Sequence, residues 1–138
     1  MNFGIKNLLL IAGGACALPA AAHHSFSSVF DGSKPIEVTG VISKLEWLNP
    51  HSYLYLTVNG KRGKTEHWSF ESLPPYMFKR AGLKREMLPV GDTVTVIGYG
   101  ARDGTKTLGW IKKLRFADGR EIQVTADNPA DAKFSDVK

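Results

Sequence analysis

Between Pro35 and Trp47 the apolar residues alternate, and the phase of the alternation changes partway along. Ile36 and Val38 share one parity, whereas Val41, Leu45 and Trp47 share the other, with Gly40 at the switch. Alternation with period two marks a strand with one buried face, and a glycine at a phase slip marks a bulge or sharp bend. A strand bent in this way can serve both sides of a small closed barrel.

The rest of the chain is compatible with such a barrel. From His51 to Val58, Leu54, Leu56 and Val58 lie on one face and Tyr53, Tyr55 and Thr57 on the other. Asn59-Gly60 begins a turn, and Thr65 to Glu71 answers with Trp68 and Phe70 directed inward. A short helix is expected from Leu73-Pro74-Pro75-Tyr76, stopped by Gly82, with one more turn over Lys84 to Leu88. Gly91-Asp92 introduces a strand over Thr93 to Tyr99, Thr107 to Phe116 is its partner, and Asp118-Gly119 turns into Glu121 to Thr125. Three strands, a helix, two strands and an extension make the order of an OB-type barrel, so the expected fold is all-β, with five or six strands and one short helix between strands 3 and 4. An open antiparallel sheet with a helix on one face is the competing architecture.

The first 22 residues have the form of a secretory signal. Lys6 supplies the positive start, Leu8 to Leu18 the apolar run, and Leu18-Pro19-Ala20-Ala21-Ala22 a breaker followed by small residues. The run is shorter than the ~20 residues of a bilayer span, so no membrane anchor is expected in the mature chain. Gly13-Gly14-Ala15-Cys16 lacks the Leu-like residue of a lipoprotein site. The expected organisation is a signal at 1–22, an N-terminal arm at 23–34, the barrel at 35–126 and a fraying tail at 127–138, in the periplasm or outside the cell.

Cleavage after Ala22 removes the single cysteine, which excludes disulfides and thiol chemistry from the mature domain. With 138 residues, 43% hydrophobic, the chain can build one core and is too short for an α/β barrel or a two-domain enzyme. The formal charge of +5 is spread over Lys61-Arg62-Gly63-Lys64, Lys79-Arg80, Lys84-Arg85 and Lys112-Lys113, a distribution that suits solvated loops.

In an exported chain without cysteine, histidine is the natural transition-metal ligand. Cleavage after Ala22 leaves His23 as the new N-terminus, where its amine and ring Nδ1 can chelate one ion. A further imidazole completes a T-shaped site suited to copper, with zinc and nickel as alternatives. Cleavage after Ala20 puts His23 third and still gives a square-planar copper or nickel chelate. If Leu56 faces Trp68 and Leu54 faces Phe70, His67 stands opposite Thr57, six residues from His51. That is about 20 Å at about 3.3 Å per residue, so the set is His23 with His51, and His24 as a further ligand or support.

A second candidate is the outward row Tyr53 and Tyr55 beside His67 and Ser69, a face that could stack on a glycan or other polymer. Export argues against a nucleic-acid ligand. A surface that docks another envelope protein is the third possibility. There is no G-x-S-x-G turn and no phosphate loop, and although Glu46, Glu66, Glu71 and Asp92 could form carboxylate pairs in space, most of them are expected to be solvated, so a non-enzymatic binding module is expected.

His23-His24-Ser25-Phe26, Asp31, Val38-Thr39-Gly40-Val41, Trp47-Leu48-Asn49-Pro50-His51, Trp68 with Glu71, Gly91-Asp92, Asp103-Gly104 and Asp118-Gly119 together resemble a family of small exported proteobacterial proteins classed as a domain of unknown function. The resemblance implies that the H-H-S-F and N-P-H elements belong to the family's pattern and that His67 does not. It brings no catalytic residues. The chain departs from it mildly at Leu73-Pro74-Pro75-Tyr76.

Overall fold

The computed structural model describes residues 26–125. The expected signal at 1–22, His23 and His24 of the expected arm, and the expected tail at 127–138 lie outside them. In chain order the elements are α1 (Phe26–Val29), β1 (Phe30–Glu46), β2 (Ser52–Asn59), β3 (Thr65–Ser72), α2 (Pro75–Arg80), β4 (Thr93–Ala101), β5 (Leu108–Phe116) and β6 (Glu121–Gln123). The sheet runs β3-β2-β1-β4-β5-β6, and β3 also pairs in parallel with β5 through Ser69–Leu108, Phe70–Gly109 and Glu71–Trp110. That last pairing closes the ring, and with the helix between β3 and β4 it makes the fold an OB-type barrel.

Closure depends on β1, which pairs with β2 along its second half and with β4 along its first. Its change of phase lies a few residues beyond the expected place. Val38, Gly40 and Ile42 are buried in one phase, and the register slips between Ile42 and Lys44 before Leu45 and Trp47 turn inward in the other. Val41 points outward and is 43% exposed. Gly40 serves a different purpose. A Cβ there would lie 2.8 Å from the Thr57 carbonyl oxygen and 2.8 Å from Val58 Cγ2, so glycine permits β1 and β2 to approach. A glycine that marks a bulge and one that marks a close approach look the same in the sequence.

The β2–β3 register is as expected, with Leu54 opposite Phe70, Leu56 opposite Trp68 and Thr57 opposite His67. The inward side chains Ile42, Leu54, Leu56, Phe70, Val94, Val96, Ile111 and Leu114 fill the barrel. Burial of each such group stabilises the fold by about 1.5–3 kcal/mol. Phe78, Leu83 and Leu88, from α2 and the segment after it, belong to the same core. Pro74 precedes α2 in extended conformation, Pro75 opens it, and Gly82, at φ +86, turns the chain away, all as the local sequence requires.

A second cluster lies outside the barrel wall. Phe30, Leu73, Tyr99 and Trp110 are buried there, with Phe26, Val29, Met77 and Leu108 packed against them. The strand β1 therefore begins inside the expected arm, at Phe30 rather than Pro35, and α1 lies across the outward faces of β4 and β5.

Candidate functional site

His51 ends the connection from β1 to β2, and its side chain falls on the outward face that carries Tyr53 and Tyr55. Glu71 of β3 is on the same face. The pair Tyr53–Glu71 is directly opposed, which makes His51 and Glu71 diagonal neighbours across the two strands. The His51 Nδ1–H donates to Glu71 Oε1. A ring that donates through Nδ1 presents its Nε2 lone pair to a ligand in the neutral tautomer.

The edge of the His51 ring meets Trp110, with centroids 6.5 Å apart and planes at 88°. Trp110 is 5% exposed, and its indole N–H has no partner among the described residues. Phe26 of α1 packs on the same indole, 5.4 Å between centroids, and on Phe30 and Tyr99 at 5.8 and 5.7 Å. Arg102 fixes the segment from its other side. Its backbone N–H donates to the Val29 carbonyl, its Nε to the Ser27 carbonyl at 2.8 Å, and its guanidinium to the Phe30 carbonyl. Phe26, the last residue of the H-H-S-F element, and His51, the last of N-P-H, thus share one indole.

Other candidates separate from this centre. His67 is exposed, opposite Thr57, and the structure does not bring it to His51. Tyr53, Tyr55 and Ser69 are half-buried on the outward face. The Tyr55 hydroxyl donates to Glu46 Oε2 at 2.9 Å, and the Lys44 ammonium, paired with Glu46, stands 5.1 Å over the Tyr55 ring. Partial burial, then the bond to Glu46, push the Tyr55 phenol above its ordinary value; partial burial, then the charge of Glu71, do the same to Tyr53. Hydrogen bonds from Lys44 and Tyr55 hold the Glu46 carboxyl below its ordinary value, and the bond to Glu46 raises Lys44.

Of the four carboxylates expected to be mostly solvated, Glu46 and Glu71 are exceptions, each with a specific partner. Glu71, which with Trp68 is part of the family-like pattern, is the member of the His51 site that the sequence does not connect to His51. The register, with the outward parity shared by residues 51 and 71, is the signal that can find it. Among the described residues no group of three or more His, Cys, Asp or Glu is placed to hold a metal ion, and no helix is long and apolar enough to cross a membrane.

Comparison with known proteins adds the family. No curated protein matches the sequence. Among solved structures, the chain is similar to the mitochondrial single-stranded DNA-binding protein Rim1 of S. cerevisiae, with a TM-score of 0.48 and 13% identity over 61% of this chain and 93% of Rim1. The small single-stranded DNA-binding protein of Streptomyces coelicolor gives a TM-score of 0.37 and 23% identity over 56% of this chain and 83% of that one. TiaS in complex with a tRNA and ATP gives 0.41 and 17% over 59% of this chain and 18% of TiaS. DNA and tRNA are the ligands of those proteins. A family model matches residues 12–110, which span the H-H-S-F and N-P-H elements, the bent first strand and the barrel as far as Trp110. The chain belongs to the family of unknown function DUF6152.

Proposed function

We propose that the protein is an exported, non-enzymatic module that binds copper through the amine and ring of an N-terminal His23 and the Nε2 of His51. The observation that carries this reading is the orientation of His51 by Glu71 on the indole that also docks Phe26. A ligating histidine commonly gives its second nitrogen to a carboxylate, which fixes the ring and raises its basicity. His24 and His23 stand two and three residues before Phe26, within about 7 and about 11 Å of extended chain. The anchored Phe26 and Arg102 contacts shorten the search those residues must make and so lower the entropy cost of closing the site.

A stacked glycan fits this face less well, because it would have to displace Lys44 from the Tyr55 ring. The test is calorimetric titration of the mature protein with Cu(II), its N-terminus confirmed as His23 by intact mass. One-to-one binding is expected, weakened more than tenfold by His51→Ala and also by one alanine added ahead of His23. Unchanged affinity in His51→Ala overturns the site. Retention on a glycan array that is lost in Tyr53→Ala would favour the polymer reading instead.

A further inference from the structure

On another part of the barrel the inward anchors Phe78, Leu83 and Leu88 seat α2 and the following segment, and the charged residues between them are turned to solvent. Gly82, in the left-handed region, reverses the chain there. As a result Lys79, Lys84, Arg85 and Glu86 line one cavity of about 510 Å³ with Gly82 and Trp47. Trp47 is half-buried, its ring 5.0 Å from Phe78, and its indole N–H makes no hydrogen bond to the described residues.

The cations of the barrel are of two kinds, and this cavity gathers the unpaired kind around one indole; Lys61, Arg62, Lys64 and Arg80 are also without a carboxylate among the described residues but do not line it. Lys34, Lys44, Arg102, Lys113, Arg115 and Arg120 each face a carboxylate within 3.9 Å. Lys79, Lys84 and Arg85 have no carboxylate partner among the described residues, and Glu86 among them pairs with none. Three cations against one carboxylate leave the cavity doubly positive, and every uncommitted side-chain donor in it, the indole included, awaits an acceptor.

We infer that this cavity binds a phosphate monoester whose body carries a flat or apolar group, the phosphate on Arg85, Lys84 and Lys79 and the body against Trp47. A phosphate monoester has a charge of about −2 at neutral pH, which matches the excess. The Arg85 fork can take two of its oxygens at once, lysines add point charges, and an indole face accepts an apolar or aromatic body. Inorganic phosphate would use the cations and leave the indole face unused. The site is separate from His51 and stands whether or not copper binds there.

Phenyl phosphate, inorganic phosphate and vesicles containing phosphatidic acid are the probes, added to the isotope-labelled mature chain. Phenyl phosphate is expected to shift the Trp47 indole and the Lys84 and Arg85 amides in a saturable way, and to bind at least tenfold more tightly than inorganic phosphate. The double variant Lys84→Glu/Arg85→Glu should lose binding at least tenfold with an unchanged circular dichroism spectrum, and Lys79→Ala should lose part of it. Trp47→Leu should remove the preference for phenyl phosphate over inorganic phosphate, and His51→Ala, whatever it does to copper, should leave the phenyl phosphate affinity as it was. Vesicle binding lost in the double variant identifies a lipid as the source of the phosphate, and binding of phenyl phosphate alone identifies a free ester. No binding of either, shifts centred on Lys61 to Lys64, or an unaltered affinity in the double variant overturns the inference.

Discussion

The aromatic wall around Trp110 and the cavity around Trp47 are built from similar residues and treat them differently. At Trp110 the ring is buried, Arg102 is committed to backbone carbonyls, and Glu71 is committed to His51. At Trp47 the ring is half-buried, and among the described residues three cations and a carboxylate stand without charged partners. A folded chain loses little by leaving exposed charges unpaired, because water solvates them, whereas a buried polar group without a partner costs stability, as the Trp110 indole N–H does. The first region is therefore organised by folding itself. The second carries charges that folding does not use.

The largest expected effects test whether the Trp110 region holds the fold. Trp110→Ala should destabilise by about 3–5 kcal/mol in denaturant titration. The half-buried Trp47→Ala should cost less than half of that; equal costs would remove the contrast. Gly98→Ala should be next, because its Cβ would lie 1.7 Å from the Trp110 carbonyl oxygen in β5, and forcing β4 and β5 apart should cost about 1–3 kcal/mol.

Glu71→Gln sharpens the comparison at the His51 side. It keeps an oxygen acceptor and removes the charge, so copper affinity should fall by about 10–100-fold with little change in stability. A smaller effect is expected from Lys84→Glu/Arg85→Glu, within about 0.5 kcal/mol of the parent in denaturant titration, since these side chains support no packed contact. A clear loss of stability there would mean that the cavity is structural.

The smallest effect concerns pH. Glu46 has a folded pKa below its unfolded value, so its contribution is fully present above the ordinary carboxylate range. That contribution is lost as the pH falls through the lowered folded value. The Tyr55 ring resonances, followed by NMR, should move in that acidic window and should lose the movement in Glu46→Gln. A response unchanged by the substitution would assign it to another carboxyl.

Much of this architecture is legible before folding. The alternation of Leu54, Leu56, Trp68 and Phe70 sets the β2–β3 register, because a slip of β3 by one residue would turn Trp68 and Phe70 to water. The separation of His67 from His51 follows from the same register. The pattern around Gly40 misleads because a glycine leaves no side chain in it, so the slip at Ile42/Lys44 is hidden behind exposed Val41 and the uninformative Ser43. The tie between Glu71 and His51 escapes notice because a carboxylate on an outward face is ordinary until its neighbour is known.

Local periodicity, turn residues and their order along the chain are enough to determine the strands and the helix that interrupts them, since each depends on residues close in sequence. Closure of β3 on β5, the meeting of Phe26, His51 and Glu71 around Trp110, and the gathering of Lys79, Lys84 and Arg85 around Trp47 belong to the tertiary structure. Those contacts join residues distant along the chain, and their distances exist only once the core has chosen which faces pack.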